Sequence, residues 1–191
     1  MRSASRTFFF ALVLVLAAAP KLAAQINDLV ELYGGFNTTS ASPEPIAPKA
    51  NLNGFVFGVA PFATHWFGAA FEVSKQYGTV GSSAGAFANA SLHESSYVAG
   101  PQFRFLNRKN LDATFRALLG GVQGQVFQPG SRESQTRFAV MLAVGVDVGI
   151  TRRVALRVEP GLFRTSFSQQ NQNNFRISFG PVIRLGSLPE H

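Results

Sequence analysis

The chain has 191 residues, which suits one domain together with a targeting segment. It contains no cysteine, which excludes disulfides, Cys-based metal sites and a thiol nucleophile. Its formal charge of +7 is dispersed, with no Lys/Arg run longer than the pairs Arg108-Lys109 and Arg152-Arg153 and no nucleic-acid motif, so no nucleic-acid partner is expected.

Residues 1–24, MRSASRTFFFALVLVLAAAPKLAA, carry a basic start (Arg2, Arg6), an apolar run from Phe8 to Ala19 and small residues before Gln25. This is the layout of a secretory signal peptide, and cleavage after Ala24 is expected. The apolar run of 12 residues is too short to cross ~30 Å of hydrocarbon as a helix. Arg2, Arg6 and Lys21 fall within residues 1–24, so 14 of the 17 basic residues face 10 acids beyond residue 24, a balance of +4.

From Asp28 onward, apolar residues recur at every second position, the signature of half-buried strands. Strand one, DLVELYGGFNT, sets Val30, Leu32 and Phe36 against Glu31, Tyr33 and Asn37. A loop over 39–53 follows, marked by Pro43, Pro45 and Pro48, which lack a donor for a ladder. Strand two, GFVFGVAPFA, places Phe55, Phe57 and Val59 on one face and turns back near Thr64-His65. Strand three, WFGAAFEVSKQYG, leads into a second long loop over 79–95, small, polar and glycine-bearing. Strand four, SYVAGPQFRFL, ends at the Asn107–Asn110 turn, and strand five, LDATFRALLGG, is followed by blurred parity at Val122 and Val126 that predicts a bulge after Gly120-Gly121.

A loop, QPGSRESQT, separates strand five from the clearest hairpin in the chain. Phe138, Val140, Leu142, Val144, Val146, Val148 and Ile150 alternate with Arg137, Ala139, Met141, Ala143, Gly145, Asp147 and Gly149. After the Thr151–Arg153 turn, Val154, Leu156, Val158 and Leu162 alternate with Ala155, Arg157, Glu159 and Gly161. QQNQNN (169–174) is read as a polar tip before the last strand, FRISFGPVIRLG. Pro101, Pro160 and Pro181 fall within strands, where each predicts a bulge or a local break.

The pattern gives eight strands of ~10 residues, long connections after strands one, three, five and seven, and short ones after two, four and six. It predicts an all-β fold, an eight-stranded antiparallel transmembrane β-barrel over residues 25–191, since a closed barrel leaves no unsatisfied edge in lipid. The rival is a soluble, lipocalin-like barrel with the apolar face inside and the charges in water.

The leader, the loop alternation, and segments such as GVDVGITRRVALRVEPGL and FRISFGPVIRLG resemble the small eight-stranded outer-membrane barrels, the OmpA transmembrane domain and OmpX-like family, over essentially all of residues 25–191. The resemblance implies residence in the cell outer membrane after export. It also implies outer-membrane lipids, lipopolysaccharide and the barrel-assembly machinery as partners, with an extracellular ligand for the long loops. Members usually end on an aromatic residue in the last strand, whereas this chain runs past Leu185 into GSLPEH. No peptidoglycan-binding domain is expected after that tail.

With the apolar face outward, Glu31, Glu72, Arg104, Asp112, Arg116, Asp147, Arg157, Glu159 and Arg176 fall inside, where buried charges need partners. They are expected to form a structural ion network that fills the lumen. The alternative is a narrow path for ions or small solutes. A second alternative, a lipid-modifying enzyme, rests on His93-Glu94-Ser95, because resembling barrels with lipid-A deacylase activity use a His/Ser/Glu set. Neighbours in a strand point to opposite faces and a triad must converge, so His93 is expected to be a solvated loop residue. No catalysis, cofactor or metal site is expected. Tyr33, Trp66, Phe67, Tyr77, Tyr97 and Phe105 are expected in interfacial aromatic girdles, and Arg164, on the outward parity, is a candidate for a lipopolysaccharide phosphate. The functional expectation is a structural or adhesion-like surface role.

Overall fold

The computed structural model describes residues 30–41, 50–79, 91–108, 110–128, 131–167 and 170–186. The leader therefore lies outside the described residues, as do the middles of the two long loops. Eight strands follow in chain order: β1 (Val30–Ala41), β2 (Ala50–Pro61), β3 (Phe67–Thr79), β4 (Ser91–Arg108), β5 (Leu111–Gln128), β6 (Ser131–Gly149), β7 (Val154–Phe167) and β8 (Gln170–Leu185). Each pairs antiparallel with the next, and β1 pairs with β8 to close the barrel.

The wall separates side chains by parity. Phe55, Phe57, Phe105, Leu119, Phe138, Leu142, Val144, Phe175 and Phe179 are exposed on the outside, whereas the charged residues of the alternate positions are buried. That inversion is incompatible with the lipocalin-like alternative, which would bury the phenylalanines and wet the arginines. In a bilayer the outer row is solvated by lipid, and the ladder satisfies the backbone.

One end carries tight turns. Thr64 accepts a bond from the Phe67 N–H at 3.0 Å, and Thr151 accepts from the Val154 N–H at 3.0 Å, so a threonine hydroxyl closes each reversal. The other end differs from expectation. Of the residues expected in loops, 39–41, 50–53, 91–95, 131–136 and 170–174 continue the strands, because β1 and β2 stay paired out to Ala41 and Ala50, β5 and β6 out to Gln128 and Ser131, and β7 and β8 out to Phe167 and Gln170. These extensions escaped notice because both faces there are polar, so no hydrophobic alternation marks them.

The bulge is also elsewhere. The β5–β6 register runs unbroken through Gly120-Gly121, and Val122 simply continues the inward even row as a buried side chain. The register shift lies between Arg104 and Leu106 on β4. Each strand proline breaks the ladder on one side only. Pro101 stays paired with Ala69 while the β5 ladder skips from Ala99 to Gln102, and Pro160 stays paired with Ile177 while the β6 ladder lapses. Pro181 faces Leu156 while the β1 ladder lapses between Tyr33 and Phe36. The register resumes unchanged after each gap, so these are local breaks without bulges.

Candidate functional site

Among the described residues, chemistry-bearing side chains converge in the lumen. Its organisation follows from rows of cross-strand neighbours. Asp112, Asp147 and Arg157 are successive partners across β5, β6 and β7, and Glu31 stands opposite Arg184 across β1 and β8. In this first group Glu31 pairs with Arg104, with Arg157 at 2.9 Å and with Arg184 at 3.4 Å, and accepts from the Gln102 amide at 3.0 Å. Asp147 takes Arg157 at 2.6 Å and Arg184 at 3.0 Å, while Asp112 takes Arg184 at 2.5 Å.

A second group lies farther from the tight turns. Arg116, Ala143, Gly161 and Arg176 are successive partners across β5 to β8, so two small residues leave room between two guanidiniums. Arg116 pairs with Glu159 and, at 3.2 Å, with Glu72, and Arg176 reaches Glu72 at 2.7 Å. Gly145 makes space beside this group, since a Cβ there would meet Thr114 Oγ1 at 2.6 Å and Glu159 Oε2 at 3.3 Å.

Tyr33 joins the two groups. Its hydroxyl donates to Glu72 at 3.2 Å, and its ring carries Arg116 at 4.4 Å and Arg157 at 5.4 Å. The ring lies against Gly58, its cross-strand partner. Tyr33 is therefore a lumen residue and not part of a girdle. Its odd position beside Glu31 already indicated this.

All nine sequence-derived charges lie in the lumen, and the structure adds Arg184. Glu31, Glu72, Asp112, Asp147 and Glu159 then form ion pairs with Arg104, Arg116, Arg157, Arg176 and Arg184, while a sixth buried carboxylate, Glu94, stands outside these pairs. The nine alone hold one excess carboxylate, and Arg184 sits on the inward parity of the last strand. The parity it shares with Arg176 was the signal that could have found it. Apolar residues bracket the ions: Phe62 packs under Arg104 at 4.6 Å, and Leu118, Met141 and Phe163 form a buried row across β5 to β7.

His93 belongs to β4, not to a loop. Its ring packs between Tyr77 at 4.9 Å and Phe127 at 4.6 Å, while Glu94 is buried in the lumen. The strand wall separates the two, so they cannot share a substrate. Among the described residues no group of three or more His, Cys, Asp or Glu could hold a metal ion. Trp66, Phe67 and Phe103 cluster outside near the tight turns, with Phe105 exposed nearby. Tyr77 lies at the opposite end and Tyr97 on the outer face between them. Arg164 is exposed on the outside.

Over residues 9–181 the sequence matches the outer membrane protein beta-barrel domain. The chain belongs to that family. The protein is accordingly an outer-membrane β-barrel, the compartment in which its lipid-facing exterior is solvated. No curated protein matches the sequence. Solved structures share the barrel. Ail, the attachment invasion locus protein of Yersinia pestis, aligns with a TM-score of 0.60 at 13% identity, covering 84% of this chain and 100% of its own. Neisserial surface protein A gives 0.59 at 14%, covering 85% and 98%. OprG of Pseudomonas aeruginosa gives 0.56 at 11%, covering 84% and 97%.

Proposed function

We propose that this outer-membrane barrel is a non-catalytic surface-interaction protein, whose lumen network is a structural plug and whose long-strand end meets the environment. The observation that carries the reading is the ion-paired, buried set of five carboxylates and five guanidiniums, bracketed by Phe62 on one side and the Leu118–Met141–Phe163 row on the other. Ions fixed in pairs and covered by hydrocarbon support a rigid wall better than an aqueous path. Residues 1–24 direct export, the tight turns face the periplasm, and the extended end faces outward. The printed description of Ail as an attachment protein is in keeping with this reading.

Partners follow from the same orientation. Lipid surrounds the outward phenylalanines, the assembly machinery recognises the outward row Phe175, Ile177, Phe179, Ile183 and Leu185 of the last strand, and Arg164 pairs with a lipopolysaccharide phosphate. Unchanged lipid co-purification in Arg164→Ala would remove that last assignment.

Two measurements test the proposal. Purified protein in planar bilayers is expected to give no stable conductance; a reproducible open channel would replace the plug with a pore. Cells expressing the protein are expected to lose surface attachment when residues 80–90 are deleted, with lipid A unchanged by mass spectrometry in the presence or absence of the protein. A changed lipid A would establish an enzyme instead.

A further inference from the structure

Glu94 is the lumen carboxylate that the two ion groups do not use. The five others each lie within ion-pair distance of an arginine, whereas Glu94, 8% exposed, pairs with no cation among the described residues. Arg176 is held by Glu72 at 2.7 Å and donates to Met141 Sδ at 3.5 Å. Arg137, on the inward parity of β6, is exposed and donates to Gln135 at 3.3 Å. Glu94 therefore adds one negative charge to a lumen whose ion-paired charges cancel, and a buried carboxylate without a counter-charge is costly.

The register gathers oxygens beside it. Asn37, Gly54, Gln76, Glu94 and Gly124 are successive cross-strand partners from β1 to β5. Gln76 stands directly opposite Glu94, a position that sets Cβ atoms about 5 Å apart. Gly54 puts no side chain between Gln76 and Asn37, and Gly124 puts none between Glu94 and the exposed Gln135. Asn37 and Gln76 are buried as completely as the ion groups. Among the described residues, Glu94 Oε1, Gln76 Oε1 and Asn37 Oδ1 have no hydrogen-bond partner, nor has Thr39 Oγ1 two residues along β1. Acceptor oxygens, one of them ionised, thus share a row unanswered. The neighbouring rows do not supply the answer. Ser74 and Ser96 bond to each other at 2.7 Å on one side, and on the other Leu52 lies across Gly78, where a Cβ would meet its Cδ2 at 2.6 Å.

We propose that Glu94, Gln76 and Asn37 form a binding site for one alkali cation at the end of the lumen away from the tight turns. Carboxylate and amide oxygens are hard donors, which suit alkali and alkaline-earth ions. Charge decides between the two. One carboxylate balances one positive charge, whereas a divalent ion would leave an excess cation buried among guanidiniums. The ion enters on the side of Gly124 and Gln135 and goes no farther, because the paired arginines and carboxylates fill the lumen beyond. The site does not depend on the surface-interaction reading.

The test uses the full chain refolded in lipid nanodiscs, in buffer whose cation is N-methyl-D-glucamine, too large for the site. Lithium, sodium, potassium or calcium chloride replaces it at constant ionic strength while the side-chain amide NMR signals of Asn37 and Gln76 are followed. At least one alkali ion is expected to shift both signals saturably, with a midpoint in the millimolar range, and calcium is expected to bind at least tenfold more weakly. Glu94→Gln is expected to abolish the saturable shift while leaving heat-modifiable gel mobility intact, because it removes an uncompensated buried charge. Gln76→Leu keeps the carboxylate and is expected to weaken binding at least tenfold, read on Asn37. Arg137→Gln is expected to leave the titration unchanged. Shifts that rise linearly with salt, a saturable shift that survives Glu94→Gln, or calcium binding tighter than every alkali ion would each overturn the proposal. So would Arg137→Gln moving the amide signals in the absence of alkali ion, which would make Arg137 the counter-ion of Glu94.

Discussion

Asp112 and Asp147 stand directly opposite each other on β5 and β6, two carboxylates side by side on the lumen wall. Like charges in that position repel. Arg184 on β8, two strands from Asp147 and three from Asp112 by way of β7, reaches both, at 3.0 Å and 2.5 Å, while Arg157 takes Asp147 at 2.6 Å. The pair is tolerable because β8 delivers a guanidinium that bridges the two carboxylates and β7 supplies a second one to Asp147.

Arg184→Ala should therefore expose that repulsion. Removing one partner from a buried ion group costs about 3 kcal/mol, at the low end of the range because Arg184 keeps a little exposure. Urea unfolding in lipid vesicles, followed by gel mobility, measures the loss. Adding Asp112→Asn is expected to recover part of it, and two additive losses would show that Arg184 does not act through the aspartates.

Tyr33 depends on the absence of a side chain at Gly58. A Cβ there would lie 2.1 Å from the Tyr33 ring, so Gly58→Ala must push the ring off its place between Arg116 and Arg157 and away from Glu72. The expected loss is about 1–3 kcal/mol, as for an overpacked core. In a Tyr33→Leu background the same substitution is expected to cost markedly less, and an equal cost in both backgrounds would place the strain elsewhere.

The outer surface makes a depth-dependent prediction along one strand. Val144 is exposed on the lipid-facing row of β6, between Phe138 and Ile150, whereas Thr136 lies beyond that apolar row. Val144→Arg is expected to cost about 2–4 kcal/mol and Thr136→Arg about 0–1 kcal/mol, because the penalty for a cation falls from midplane to interface. The same unfolding assay reads both. Equal costs would mean that the apolar row does not lie in hydrocarbon.

Strand count, parity and nine of the ten ion-paired lumen charges were legible in the sequence because lipid on one side and a packed lumen on the other impose a strict period of two. Val122 shows the limit of that rule: an apolar residue in the inward row looks like a lost parity until Leu118, Met141 and Phe163 are seen beside it. His93 shows another. In a stretch polar on both faces nothing distinguishes strand from loop, and only the rings of Tyr77 and Phe127 place it on the wall.

The chain by itself thus determined the barrel, its inside and its outside, since these follow from local alternation read one strand at a time. Only the tertiary structure decided which charge answers which, that Tyr33 bridges two ion groups, and that the ladder of β6 with β5 runs farther than its ladder with β7. Those relationships depend on register and on closure between β1 and β8. Both are set by contacts between residues far apart in sequence, which alternation within a strand does not encode.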